Sequence, residues 1–347
     1  MKSYQPSFFD ESERHNKLDQ LNDPLVELSE YIDFEIFRPK LDKVFEKPRL
    51  SNAGRKALDV VLMFKVLILQ RLYNLSDEQV EFQITDRISF CRFLELPLGG
   101  KAPDFTTVWR FRQALTDAEA VKDLFDLFTS TLQGRGLITK VGSIVDASFV
   151  EVPKQRNTRQ ENELVKKGQM PEEWRADENK LAQKDMDARW TKKNNVSYFG
   201  YKDHVKVDAE SKLITDYLVT DASVHDSRTL FDLVDHSCKG ENLFCDSAYK
   251  SAEIDRKLQE MHIENYIHEK AARNRPLSEG RKILNHLKSQ IRCLIEHVFG
   301  YIENSMSGPE LRYIGFARNA TGIGLCNLAY NMKRYIQLVR PRQSATV

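Results

Sequence analysis

The chain carries almost no net charge. Its 52 Lys and Arg against 51 Asp and Glu leave +1 over 347 residues, so only local clusters can mark a nucleic-acid partner. Cysteine is scarce: Cys91, Cys238, Cys245, Cys293 and Cys326 are scattered, with no CxxC spacing. That argues against a zinc site or a disulfide framework and fits reduced thiols in a cytoplasmic protein. No run is apolar enough for long enough to cross a bilayer. The most apolar, "VVLMFKVLIL" at 60–69, is ten residues with Lys65 inside, which fits a buried helix. The opening "MKSYQPSFFDESERH" lacks the apolar core of a signal peptide. No internal repeat is visible. With 41% hydrophobic and 30% charged residues, what remains is a soluble globular chain, long enough for two domains or one with a large appendage.

One basic cluster is present. "RPKLDKVFEKPRLSNAGRK" at 38–56 holds seven Lys or Arg against two acids. It reads either as a phosphate-tracking stretch or as a solvated connector. Residues up to about 138 read as helical. Leu58, Val61, Leu62, Leu69, Leu72 and Tyr73 share one helix face. "SDEQ" at 76–79 is a capping box that starts a helix from 77 to about 95. Pro97, Gly99 and Gly100 break the chain, Asp104 caps the next helix, and a further helix runs from about 118 to Gly134. After Gly136 the pattern changes. "VGSIVDASFV" is a strand, and the polar tract 154–195 reads as a mobile insertion with some helix. "SYFGYKDHVKVDAESKLITDYLVTDA" is a hairpin turning at "DAESK". A helix at 226–236, the strand "NLFCD", a helix, the strand "IENYIH", a long helix at 281–304 and a last one at 320–338 complete the chain. That order predicts a mixed β-sheet flanked by helices.

Two of these strands carry a short apolar run that stops at an acid: Ile144 and Val145 at Asp146, and Leu243, Phe244 and Cys245 at Asp246. On parallel neighbouring strands, about 4.8 Å apart, their carboxylates would meet and repel. A divalent cation removes the repulsion. Mg²⁺ takes carboxylate, water and phosphate oxygens, and a pair of ions roughly 4 Å apart suits in-line phosphoryl transfer. A third acid is available on the long helix. Ser289, Arg292, Glu296 and Glu303 lie opposite the apolar stripe Leu287, Ile291, Leu294, Val298 and Ile302, with Arg292 one turn from Glu296. Taken singly, each Asp reads more readily as a turn cap and the helix face as merely solvated. Pattern alone does not separate these acids from Asp203, Asp208, Asp221 or Asp226.

The residues resemble a family. "APDFTTVWRFRQAL", "IVDASFVEVP", "DMDARWTKKNNVSYFGYKDHVKVD", "TDASVHDS", "FCDSAYKS", "RCLIEHVFGYIE" and "RYIGFARNATGIGLCNLAYNMKR" are similar, in order, to blocks of DDE transposases of bacterial insertion sequences. Within those, they resemble the InsH-like branch with its Tyr-Arg-Glu-Lys signature. The resemblance makes Asp146, Asp246 and Glu296 the catalytic and metal-holding acids and Arg292 their companion. The acids are spaced 100 and 50 residues apart. Ser289 and Glu303 stand where the branch has Tyr and Lys, a departure in its DNA-contact part.

The resemblance implies an α+β chain with a ribonuclease H-like catalytic domain at 139–347, whose insertion spans 154–195. An all-α domain at 1–138 would bind DNA ends. Two Mg²⁺ ions, with Mn²⁺ able to substitute, would serve cutting at the element's ends and 3′-hydroxyl strand transfer. The implied partners are double-stranded DNA, as terminal inverted repeats and target, and a second copy of the chain; no membrane is involved. The implied place is the bacterial cytoplasm, at the nucleoid when DNA-bound. The rivals are a nuclease of the same fold that cuts without joining and a catalytically decayed DNA-binding derivative.

Further residues read two ways. His225 orients a water or phosphate near the site, or is a turn histidine bonded to backbone. Lys202 and His204 face the metal site or DNA, or else solvent. Arg189, Lys192 and Lys193 beside Trp190 suit phosphates and an unstacked base, or Trp190 anchors the insertion. Thr106, Thr107, Arg110 and Arg112 open a helix suited to a major groove, unless Val108, Trp109 and Phe111 simply pack it.

Overall fold

Short polar residues set the helix starts in the first part of the chain. The helices are α1 Asp10–Gln20, α2 Pro24–Tyr31, α3 Arg38–Phe45, α4 Val60–Leu72, α5 Asp77–Asp86, α6 Ile88–Phe93 and α7 Phe105–Asp117. Asp23 caps α2, Asp59 caps α4, and Ser76 with Gln79 closes the capping box of α5. Asp104 accepts from the Thr107 amide at 2.8 Å. The computed structural model describes residues 10–46, 58–97, 100–193, 195–271, 276–308 and 311–340. The chain divides into two units, 1–114 with 335–347 and 115–334.

Two expectations in the first unit change. α4 is buried on nearly every side, not one, with Met63, Phe64, Leu67 and Ile68 all in the core. Its Lys65 is accommodated by Glu95 at 2.7 Å and the Phe93 carbonyl. The helix expected over 77–95 breaks at Arg87, which is extended, so α5 and α6 are separate. In the basic cluster, Arg38 pairs with Asp59 at 2.8 Å and with Glu35. Residues 47–56 of that cluster lie outside the described residues, as does Gly99.

The second unit begins with α8 Ala120–Gly134 and β1 Gly142–Glu151. α9 Arg159–Lys166, α10 Glu172–Arg175, α11 Glu178–Ala182 and β2 Arg189–Lys193 follow, then the hairpin β3 Val196–Asp208 and β4 Ile214–Asp221. The helix expected at 226–236 shrinks to α12 Leu230–Leu233 between two 3₁₀ turns. β5 Asn242–Phe244, α13 Ala252–Glu260 and β6 Glu264–Asn265 complete the sheet. The single helix expected at 281–304 is instead α14 Glu279–Arg292, α15 Leu294–Gly300 and a π turn, and α16 Phe316–Val339 follows, its first part to Arg334 lying in this unit. The break falls where burial begins: Leu287 is 52% exposed, whereas Ile295, Val298 and Ile302 are core.

The sheet runs β2-β3-β1-β5-β6, with β4 also on β3. β3 is antiparallel to β1, β2 and β4, while β5 is parallel to β1 and to β6. Side chains alternate between faces along each strand. Val145, Leu243 and Cys245 pack with Leu230, Leu233, Ile254 and Leu258 of α12 and α13. The other face meets α16, where Asn331 bonds both backbone groups of Ile214 and Asn327 donates to Asp203 at 3.1 Å. Gly200 joins the two halves of β3 at φ +148°, and a Cβ there would lie 2.2 Å from the Val150 carbonyl oxygen, so no other residue fits.

The tract 154–195 has a core of its own, contrary to the mobile insertion expected. Trp174 is fully buried and its indole donates to Glu161 at 2.6 Å. Buried Asp185 accepts from the Tyr201 hydroxyl and the Gly315 amide. These partners, far off in sequence, hold the insertion to the sheet.

Asp203 is a buried acid, and burial pushes its carboxyl up to about 7. The unfolded group titrates near about 3.9. Its contribution to stability is therefore complete below that value and lost as pH rises through about 7. Asp203→Asn should cancel this loss. In urea unfolding, the difference between variant and parent is expected to move in the variant's favour by roughly 4 kcal/mol between pH 4 and 8. A difference independent of pH would mean that the folded carboxyl is already ionised at pH 4.

Candidate active site

The paired acids come from strand register. β1 and β5 pair Gly142 with Asn242, Ser143 with Leu243 and Ile144 with Phe244. Continued two residues, that register sets Asp146 opposite Asp246. β5 and β6 pair Asn242 with Glu264 and Leu243 with Asn265, which carried on sets Asp246 opposite His268. The His268 amide donates to the Cys245 carbonyl at 3.2 Å, so the alignment persists to that level. Three polar side chains thus form a row across three parallel strands, midway along β1 and just beyond the ends of β5 and β6. Asp246 also caps the 3₁₀ turn Ser247–Tyr249, accepting from the Ala248 amide at 2.6 Å.

Glu296 reaches this row through Arg292. The guanidinium donates Nη1 to Asp146 at 3.1 Å and Nη2 to Glu296 at 3.0 Å. Asp146 is raised above the usual carboxylate range, chiefly by burial and further by the charge of Asp246, while the Ala147 amide and Arg292 oppose the shift. Burial and the charge of Arg292 hold the His268 imidazole below its usual value. His268 was not anticipated. Its strand is only two residues long, but the pattern noted at Asp146 and Asp246, a polar residue where a short apolar run stops, also fits "NYIH". Ser289 lies 3.4 Å from His268 Nε2, and Glu303 is exposed on the π turn.

Carboxylate oxygens are the donors a hard divalent cation prefers, and the raised Asp146 is what a nearby positive charge would relieve. Arg292 is a stand-in cation on two of the three acids. The donor set therefore fits a metal. In this arrangement, among the described residues, no three His, Cys, Asp or Glu groups lie close enough together to hold one.

Several other candidates are elsewhere or otherwise engaged. Lys202 and His204 point to the opposite sheet face from Asp146, because Asp146 pairs with Val205. Lys202 is buried against Asp226 at 2.7 Å and the Val224 carbonyl. His204 is fully buried between Thr220 and Thr229, and burial holds it down to about 4. Neither faces solvent, DNA or the acids. His225 is a turn residue: Nδ1 accepts from the Ser227 amide at 3.3 Å. Arg189 donates to the carbonyls of Met186, Ala188 and Val165, so it ties the insertion together and has no fork left for phosphate. Arg112 is buried in a two-pronged pair with Asp77 at 2.6 and 2.7 Å and bonds Gln70, which removes it from any groove-reading surface. Exposed Arg110 and Trp109 and half-buried Thr107 share its helix. Lys192 and Lys193 are exposed, and Trp190, 43% exposed, rests on Phe199. Lys193 also lies 5.7 Å from the Phe149 ring, and its charge lowers Asp146.

Arg292 thus ties Asp146 to Glu296, and the strand register places Asp246 beside Asp146. A sequence profile described as "Transposase DDE domain" matches residues 138–332, more than half of the chain, and one described as "Transposase domain (DUF772)" matches 12–114. The chain belongs to the DDE transposase family and is a DNA transposase, an enzyme that breaks and joins DNA strands. Proteins with this domain use divalent metal ions. A cryo-EM structure of a piggyBac transposase synaptic complex with hairpin DNA is similar at 12% identity and a TM-score of 0.46. The likeness covers 91% of this chain and 75% of that one. Among the described residues no helix is long and apolar enough to cross a membrane.

Proposed function

We propose that Asp146, Asp246 and Glu296 are the catalytic acids of an insertion-sequence transposase of the InsH-like branch, and that they hold two Mg²⁺ ions, with Mn²⁺ able to replace them. The observation that carries this reading is the shared register of Asp146 and Asp246 on parallel neighbours, with Glu296 tied in by Arg292. Bound divalent ions supply neutralisation of the scissile phosphate and activation of the attacking oxygen. The chain's own residues do the rest. Asp146 and Asp246 fix one wall of the site on the rigid sheet, Glu296 closes the other from a helix, and His268 borders the row. Water attacks the phosphodiester at the element's end, the P–O3′ bond breaks, and the freed 3′-hydroxyl takes up a proton. That hydroxyl then attacks a target phosphodiester, which releases a target 3′-hydroxyl.

The sheet order β4-β3-β1-β5-β6 supports a ribonuclease H-like assignment for 139–347, with 154–195 as its insertion. Residues 1–138 would bind the terminal inverted repeats. Thr107 and Arg110 are the side chains of α7 still suited to a DNA contact, and Lys192 and Lys193 are those of β2. Joining two ends calls for a homodimer on DNA, acting in the bacterial cytoplasm. The test uses a duplex bearing the repeats that flank the gene, with one substrate intact and one already cut. Joining of the pre-cut end to plasmid DNA in Mg²⁺ is the expected result. Clean cutting with no joining would make the chain a nuclease instead.

A further inference from the structure

The proposed site already contains a cation, and it is a side chain. Arg292 bridges Asp146 and Glu296 at 3.1 and 3.0 Å, while its buried Nε has no hydrogen-bond partner. A guanidinium and a divalent ion would claim the same oxygens, and two positive charges at such range repel. So the arrangement that satisfies Asp146 and Glu296 without metal is one that keeps metal out.

The helix break at Cys293 puts Arg292 and Glu296 on separate helices. α14 has no buried residue and leaves Ile283, Leu284 and Leu287 more than half exposed. α15 is anchored by Ile295 and Val298, both fully buried. Asn285 and Lys288 tie α14 to the backbone of Glu269 and Ile267, so the helix stays in place. The long Arg292 side chain can still swing away by rotating its own bonds while Glu296 keeps its place. Phosphate is the competitor best able to draw it off, because it accepts the same two-pronged bond that a carboxylate does.

We propose that Arg292 is a placeholder that keeps divalent ions out of the acid site until a DNA phosphate takes the guanidinium, so that DNA-end binding and metal binding promote each other. The proposal rests on the reading that these acids hold metal. Coupling between two ligands is reciprocal and is typically about 5–150-fold.

Mn²⁺ binding to the full chain, followed by electron paramagnetic resonance, tests it without any need for turnover. Without DNA, Arg292→Ala should bind Mn²⁺ at least about tenfold tighter than the parent. Terminal-repeat duplex should tighten the parent by a similar factor and change the variant little. Arg292→Gln, which keeps the stem and removes the charge, should behave like Arg292→Ala. Affinity in either folded variant equal to or below the parent's would overturn the placeholder. So would unfolding of both, since a placeholder is not needed to fold. Asp246→Asn separates the two claims. Mn²⁺ binding that depends on Asp246 but ignores Arg292 sinks the placeholder alone, whereas binding that ignores Asp246 sinks the metal reading beneath it.

Discussion

Asp146→Asn is expected to lower strand cleavage by about 10³-fold or more while DNA-end binding stays near the parent's level. The size follows from what the carboxylate does in the proposed site. Metal-assisted charge neutralisation is worth several kcal/mol in such transition states, and each 1.36 kcal/mol is a factor of ten. Asn is nearly isosteric, so the strand and its packing survive. It also cannot balance Arg292, whose Nη1 now meets a carboxylate there. A gel assay of end cleavage, with binding of the same duplex measured by anisotropy, reads both quantities. Retained cleavage would remove Asp146 from the chemistry. Loss of binding along with cleavage would assign it a structural part instead.

Trp174→Ala should produce the largest loss of stability, about 3–5 kcal/mol, because a fully buried indole leaves a cavity that a short helix cannot close. The cost is increased by Glu161, whose buried Oε1 loses its indole donor and keeps only Lys180 at 3.4 Å. The damage should stay local. β1 and β3 pair directly from Ser143↔Asp208 to Glu151↔Gly200 without help from α9–α11. Hydrogen exchange should therefore rise across 154–188 while β1 and β3 remain protected. Uniform loss of protection would show that the insertion supports the sheet.

What could be read in the sequence was local or periodic. The Ser76–Gln79 box and the Asp104 cap need only neighbours a turn away, and both formed. An apolar run halting at Asp146 and at Asp246 is a local pattern, but only the family resemblance set these two apart from Asp203, Asp208, Asp221 and Asp226. The rest depended on partners far along the chain. Arg112 was assigned to DNA because Asp77, which neutralises it, lies 35 residues earlier. The tract 154–195 looked coreless because its apolar residues are few. Its order comes from Trp174 and from Asp185, whose partner Gly315 is 130 residues away. The break after Arg292 has no Gly or Pro to announce it and follows from where burial begins. His268 was missed because a two-residue strand carries no periodicity.

The nine-residue ladder between β1 and β3 has a consequence for lineage and for engineering. The tract 154–195 leaves from one rail of that ladder and returns to the other, beyond the level of Asp146. Its α9–α11 part can thus change length like a cassette without sliding the acid along its strand, whereas β2 and Asp185 are bonded to β3 and belong with the sheet. Gly200, where both rails come too close for any side chain, is the pin that holds the cassette's mouth shut.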